Sequence, residues 1–388
     1  MTPRVQGRDG TGGTDRRFLW FDTTNRLREI ATQRRVPLIG ALELTARCNL
    51  SCRMCFVRRE GTDPAVSAGE LGAAAWLDLA RQALQEGTLF LLLTGGEPLL
   101  RSDFWEIYDP LSRMGFLLTL FTNATMVGDR EAAAFGKCPP SKVVATIYGA
   151  SPETYGRVCG DPSAFARAVA GVRRLVAAGV RTEIRATISR DNAGDLAALQ
   201  DLSEDLVGSR QIETNMLLTP SVRGAGLRPA ESRLSPEEVA ARRGKEVECD
   251  SPRPGEAGDP PTVTLRSGAI PRSADTSGAF EARPPMFCAG GRGSFWIAWD
   301  GRMLPCALMD HPFTLPFRDG FGPAWRTLAG ETDHIPGAAE CGHCEHRPYC
   351  SVCPGRLQAE TGSFTAEAPY LCEVARRVHS AVDGADHG

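Results

Sequence analysis

Thirteen cysteines stand in this chain, and most fall in two groups. Cys48, Cys52 and Cys55 lie in one short stretch, Cys48-Asn49-Leu50-Ser51-Cys52-Arg53-Met54-Cys55, and seven more run from Cys288 to Cys372. Cys138, Cys159 and Cys249 stand alone. Three thiolates at so tight a spacing can converge on one inorganic cluster. Three rather than four is informative, because one iron is then left free to bind something else, as a catalytic metal keeps an open position that a structural site closes. A partial zinc site and unconnected thiols are the alternatives.

The rest of the composition narrows the setting for such chemistry. The chain has 388 residues, 42% hydrophobic and 23% charged, enough apolar material for one large domain and a smaller one. Its 44 Lys and Arg against 47 Asp and Glu give a net charge of −3, which lacks the basic excess that phosphate neutralisation requires, so no nucleic-acid partner is expected. No run reaches the ~18 apolar residues of a membrane span, and Met1 to Arg17 is polar where a secretory signal would be apolar, so no membrane partner is expected. The chain therefore reads as cytoplasmic, where thiols stay reduced and an odd cysteine count favours metal or redox chemistry over disulfides.

The thiols must be held by a scaffold. Six strand candidates, 41–45, 89–93, 117–121, 143–147, 182–188 and 212–217, alternate with helical patterns at 70–85, 104–114, 165–178 and 196–206. This predicts an α/β fold in which repeated βα units feed a parallel sheet or barrel from about Ala41 to Pro220. Near-continuous apolar runs in the second, third and fourth candidates fit strands buried on both faces. The chemistry of such a sheet sits at the carboxyl ends of its strands, where Thr94-Gly95-Gly96-Glu97-Pro98, Thr122-Asn123 and Tyr148-Gly149 fall. Residues 1–40 read as an N-terminal extension and 221–287 as a linker or lid, Pro-, Gly- and Ser-rich from Val247 to Pro285. A Cys-rich module follows from 288 to 388.

The Cys48/Cys52/Cys55 loop after the first strand resembles the signature of the radical S-adenosylmethionine (radical SAM) superfamily, CxxxCxxC in a partial (β/α)6 TIM-like barrel. A second element of that family, a GGEP motif ending the second strand, is similar to Gly95-Gly96-Glu97-Pro98. The resemblance implies a four-iron four-sulfur (4Fe-4S) cluster that chelates SAM and reduces it, giving methionine and a 5′-deoxyadenosyl radical that takes a hydrogen atom from the substrate. It implies further that Gly95, Gly96, Glu97 and Pro98 hold the amino group of SAM. By position, Thr122, Asn123, Thr146, Arg185 and Asn215 are candidates for other SAM contacts. Thr122 and Thr146 are equally readable as strand-end hydroxyls bonded to local backbone. Arg185 has two readings, the SAM carboxylate or an internal salt bridge with Glu183 or another acid.

The C-terminal cysteines resemble the SPASM extension of radical SAM enzymes. Cys288 is followed after twelve residues by Gly301 and after four more by Cys306, then come Cys341, Cys344, Cys350, Cys353 and Cys372. Cys350 and Cys353 are separated by two residues where the pattern has three, which leaves the role of Cys353 open. A zinc ribbon is the alternative, but its paired knuckles stand ~15–20 residues apart and here only five residues separate Cys344 from Cys350. The resemblance implies two auxiliary 4Fe-4S clusters, the outer one on Cys341, Cys344, Cys350 and Cys372, the inner one on Cys288, Cys306 and Cys353. The fourth inner position is then an open iron that takes a substrate thiolate, or it is filled by Cys249, a backbone group or a carboxylate.

Cys138 and Cys159 read as small buried hydrophobes. For Cys159 there is a second reading, the hydrogen-atom donor that radical peptide epimerases use. His343 and His346 either hydrogen-bond to a cluster or occupy a solvated turn. Tyr148 either touches substrate or packs at the barrel mouth. The resemblance implies an enzyme that modifies a ribosomally made peptide, with a thioether crosslink as the sharpest version. Epimerisation or oxidation of a peptide or small-molecule intermediate is the alternative, sulfatase-type maturation ranks third because Ala307 follows Cys306, and a non-catalytic zinc-binding interaction protein is the reading of another class. Flavodoxin or ferredoxin would supply electrons. The extension of about 40 residues is too short for the fused leader-binding domain of many peptide maturases, so leader recognition is expected to need a separate leader-binding protein or another surface.

Overall fold

A computed structural model of the chain describes residues 16–57, 66, 69–220, 229–249 and 288–385. A first helix, α1 (Arg16–Arg34), leads into six strands: β1 (Ile39–Glu43), β2 (Phe90–Thr94), β3 (Leu117–Thr122), β4 (Lys142–Thr146), β5 (Thr182–Thr187) and β6 (Glu213–Asn215). Between them lie α2 (Ala73–Gln85), α3 (Phe104–Arg113), α4 (Asp129–Lys137), α5 (Pro152–Cys159), α6 (Ala164–Ala177) and α7 (Leu196–Val207). All six strands are parallel and neighbour one another in chain order, as right-handed βα crossovers dictate. The sheet does not close, so the fold is a partial barrel.

Strand chemistry explains the layering. β1 and β2 are buried at every residue, whereas β3 and β5 alternate buried with half-buried positions. Leu118, Leu120, Ile184 and Ala186 face the helices and are at most 2% exposed. Phe121 and Arg185 alternate with them and share the other face. On α2 the buried residues Trp76, Leu79, Ala80 and Ala83 recur at helical spacing and form the stripe that covers the sheet. Each large side chain so buried contributes roughly 2–3 kcal/mol. On α6, Gly171 lies so near the chain that an added Cβ would stand 2.0 Å from the Ala124 carbonyl oxygen, so only glycine lets the helix settle there.

The sheet does not end with the six expected strands. β7 (Ser294–Ile297) runs parallel to the free edge of β1, with Ile39 opposite Ser294, and β8 (Met303–Leu304) adds an antiparallel edge beyond it. This four-residue strand follows Gly290, Gly291 and Gly293, too short and too interrupted to show a period. Two helices, α8 (Pro229–Ser232) and α9 (Pro236–Cys249), fall in the stretch expected as linker or lid. After β8 come α10 (Pro316–Asp319), α11 (Phe321–Asp333), α12 (Pro354–Thr361) and α13 (Pro369–Ala385). A separate small core of Ala338, Cys350, Val352, Leu357, Ala368, Leu371 and Ala375 holds the Cys-rich segment together.

One buried cation fastens the carboxyl end of β1. Arg101, 5% exposed, donates to the carbonyls of Leu44 and Leu71, each at 2.8 Å, and grips both oxygens of Asp103 at 2.9 and 2.7 Å. Removing Arg101 leaves the buried Leu44 carbonyl without its donor and the half-buried Asp103 without its cation, which typically costs about 1–3 kcal/mol. Arg101→Ala is expected to lower stability by that order in urea denaturation. Arg101→Lys should recover only part, because an ammonium cannot serve two carbonyls and a carboxylate fork together.

Candidate functional site

The three-cysteine loop begins where β1 ends, and backbone contact with the β2 loop places it. The Gly96 amide donates to the Thr45 carbonyl at 2.8 Å and the Glu97 amide to that of Arg47 at 2.9 Å. The approach is close enough that a Cβ on Gly95 would lie 2.5 Å from the Thr45 oxygen, and one on Gly96 2.2 Å from the Arg47 oxygen. Gly95 also has φ +147°, a conformation side chains disfavour. On the outer side Glu70 accepts from Arg47 at 2.9 and 2.8 Å and from the Thr45 hydroxyl. The far half of the loop hangs from the end of α5, with Ser51 N donating to the Cys159 carbonyl and Arg53 N to that of Val158, both at 3.0 Å.

Burial pushes the Cys48 thiol up to about 12, against the pull of the Leu50 amide on its sulfur, and Glu97, Cys52 and Cys55 add to the rise. Such a thiol keeps its proton at neutral pH until a metal ion displaces it. No three His, Cys, Asp or Glu side chains among the described residues close round a single ion. The donor set, three thiols on one loop within each other's field, fits a cluster with its own cage.

Glu97 is wholly buried and turned inward. Its carboxylate accepts from the Thr122 hydroxyl at 2.9 and 3.0 Å, from Asn123 N at 2.7 Å and from Leu99 N at 3.1 Å, so it joins the β2 and β3 loops. Burial raises it to about 7, while those donors pull it down. Pro98 opens a 3-10 turn behind it. Asn123 turns back toward the cysteine loop, its amide 2.8 Å from Asn49 Oδ1 and 3.8 Å from Cys48 Sγ, while its own Oδ1 accepts from Thr125 at 2.6 and 3.0 Å. Asn49 donates to Thr125 Oγ1 at 2.8 Å, closing a small polar ring beside Cys48. Asn49 and Thr125 escaped the sequence reading, although Asn49 lies between two of the cysteines.

Thr146, Arg185 and Glu213 are register partners on β4, β5 and β6, and Asn215 lies two residues beyond on the same face. Arg185 approaches Glu213 at 3.7 Å and lies 5.0 Å from the Phe121 ring centroid. The acid near Arg185 is thus Glu213 and not Glu183, which Lys142 engages at 2.9 Å and Arg181 at 3.1 Å. On β1, Glu43 is fully buried and accepts from Trp296 Nε1 of β7 at 2.8 Å. The Thr146 carbonyl takes a 3.4 Å bond from the Tyr155 hydroxyl, and Asn215 Oδ1 one of 3.2 Å from Leu217 N. Asn192, also missed, is 1% exposed and donates to the carbonyls of Tyr148 and Thr187 at 2.8 and 3.0 Å, tying the ends of β4 and β5 together.

Cys159 lies in the main core at 1% exposure, beneath the cysteine loop that its carbonyl supports, with its thiol turned away from solvent. Cys138 is half-buried and bonds to Ser112 Oγ at 3.0 Å. Cys249 falls where no side chain is described. In the C-terminal segment the thiols of Cys341, Cys344, Cys350 and Cys372 lie within one another's fields, and burial raises Cys341, Cys350 and Cys372. Cys288 senses Cys353, which caps α12, and the next residue but one, Gly355, borders Cys306. His346 lies in a turn, half-buried, and its Nδ1 is 2.8 Å from that of His379, on which Tyr349 stacks at 4.5 Å.

Residues 42–202 match the model described as the radical SAM superfamily. The AdoMet-dependent heme synthase of Methanosarcina barkeri is 29% identical over 348 residues, 86% of this chain and 96% of that one. The PqqA peptide cyclase of Gluconobacter oxydans is 25% identical over 272 residues, 70% of each chain. Among solved structures, Streptococcus suis SuiB bound to precursor peptide SuiA superposes with a TM-score of 0.64 at 16% identity, covering 95% of this chain and 84% of that one. That likeness establishes the shared fold.

The buried Glu97 makes a pH prediction. Its folded value of about 7 lies above the usual 4.5, so the stability it contributes is fully present below pH 4.5 and is lost as pH rises through 7. The loss is on the order of 3 kcal/mol. Glu97→Gln removes this titration, so the stability of the parent relative to the variant should fall by that order between pH 4.5 and 7.5 in chemical denaturation. A constant difference would show that Glu97 titrates normally.

Proposed function

From the radical SAM domain at residues 42–202, we propose a chain in which Cys48, Cys52 and Cys55 hold a 4Fe-4S cluster whose open iron takes SAM. The observation that carries this is the three-thiol loop clamped on the Gly95-Gly96 turn, with the Asn123 amide against Cys48. The bound cluster and SAM supply reductive cleavage to methionine and a 5′-deoxyadenosyl radical that takes a hydrogen atom from substrate. The backbone of Gly95 and Gly96 presents polar groups to the SAM amino group. Glu97 acts by holding Thr122 and Asn123 in place, because its oxygens are already engaged. The SAM carboxylate is assigned to Arg185, and its 26% side-chain exposure and loose pairing with Glu213 support that assignment.

The substrate we propose is a ribosomally made peptide bearing a cysteine, joined through a thioether. PqqA peptide cyclase and peptide-bound SuiB, both similar to this chain, support a peptide. In that step a substrate C–H and an S–H are lost and a C–S bond forms. One hydrogen atom would leave on 5′-deoxyadenosine and a proton would go to solvent; a flavodoxin or ferredoxin would supply the electron that cleaves SAM, and Cys341/Cys344/Cys350/Cys372 and Cys288/Cys306/Cys353 would hold the auxiliary clusters that take up the electron released and return it to such a carrier. A second reading, oxidation of a small molecule, is favoured by the heme synthase relatives, which align over 86% to 88% of this chain.

Iron and sulfide per chain after anaerobic reconstitution test the foundation. About 12 irons are expected, falling to about 8 in Cys48→Ala/Cys52→Ala/Cys55→Ala, with SAM cleavage abolished. Stoichiometric zinc in place of iron would reject the reading. Incubation with a short Cys-containing precursor peptide or a tetrapyrrole, followed by mass spectrometry, separates the two substrates: the peptide should lose two hydrogen atoms and one free thiol.

A further inference from the structure

Helix α12 starts directly on the cysteine expected to bind the inner auxiliary cluster. Cys353 is its N-cap with no side-chain hydrogen bond, Pro354 takes the first helical position, and Gly355 and Arg356 follow. The first amides of a helix have no partner within it, and together they form its positive end. Gly355 brings this end against Cys306: an added Cβ would stand 3.5 Å from the Cys306 sulfur and 3.1 Å from Met309 Cγ. The helix start therefore abuts two of the three inner thiols, and the third, Cys288, lies within the field of Cys353.

The second observation is a buried cation. Arg356 is 6% exposed, and its Nη1 finds no hydrogen-bond partner among the described residues. The nearest acid on its helix face, Glu360 one turn on, is engaged by Arg233 at 2.9 and 3.0 Å. One turn back on that face is Cys353, on the side toward which helical side chains lean, and the charge of Arg356 is felt as well at the Tyr370 hydroxyl. A guanidinium cannot shed its proton to escape burial, so its charge calls for a counter-charge. A thiolate-ligated iron-sulfur cluster is anionic, and its sulfurs accept hydrogen bonds.

We propose that Arg356, with the amides at the start of α12, donates hydrogen bonds to the inner auxiliary cluster and raises its reduction potential, fitting it to take an electron from the substrate. This rests on the inner-cluster reading given above. A positive group beside the cluster favours the state that carries one more electron, so its removal must lower the potential of that cluster and leave the outer one unmoved.

The test is an EPR-monitored redox titration of reconstituted full-length protein in the Cys48→Ala/Cys52→Ala/Cys55→Ala background, where only auxiliary clusters respond. About 8 irons per chain are expected there. Arg356→Gln should shift one of two midpoint potentials to a more negative value, and Arg356→Lys, which keeps the charge, should shift it less. Both potentials unmoved with iron content intact would overturn the role of Arg356. About 4 irons in the Arg356-containing parent would instead overturn the inner-cluster reading itself. Should Arg356→Gln not assemble, Arg356→Lys alone decides, since loss of the fork geometry must still displace the potential if Arg356 bonds to the cluster.

Discussion

Everything at the carboxyl face of the sheet depends on two backbones lying in direct contact. The Thr45–Arg47 segment rests on Gly95 and Gly96 at a separation that admits no Cβ, and two amide hydrogen bonds hold it there. That contact decides where Cys48 emerges from β1. It leaves little slack, because the same segment is fixed on its outer side by Glu70 and Arg101. The far cysteines are fixed differently, through the end of α5. The loop is thus suspended between β2 on one side and α5 on the other, and within it Leu50 N bonds to Cys48 Sγ and Cys55 N to the Cys52 carbonyl, so barrel and loop together set the spacing of its thiols.

A second level of order lies on the inner face of the sheet, where charged side chains stand among apolar ones such as Ala41, Leu92 and Val144. Lys142, Glu183, Arg185 and Glu213 pair along β4, β5 and β6, and Glu43 is buried against Trp296 across β1 and β7. Buried charges add little net stability because desolvation offsets their attraction. Their survival on this face fits a concave surface that orients polar ligands, with Phe121 under Arg185 as its apolar element.

The six parallel strands were legible because each is an apolar run closed by a polar loop. The cysteine loop was legible because thiols are rare and their spacing is a chemical signal. Asn49, Thr125, Asn192 and Arg101 were not, since polar loop residues are common and these act through contacts that only the folded chain creates. Glu97 shows the limit most clearly. Its place beside two glycines suggested a ligand contact, whereas its bonds to Thr122 and Asn123 could not be read, since no sequence pattern reports which way a side chain turns. Strand β7 stayed hidden for another reason: four residues cannot display a period, and its pairing with β1 is a matter of tertiary structure.

That pairing also orders the life of the chain. β1 leaves the ribosome well before β7, the strand that covers its free edge, because most of the given sequence lies between them. Synthesis proceeds at roughly 5–20 residues per second, so this strand edge waits for many seconds with its amides and carbonyls unpaired. The cysteine loop sits at the end of that same strand. The cysteine loop of the barrel therefore reaches its finished frame only when the C-terminal cysteines are being made, so the two groups of thiols take up their places late and close together in time.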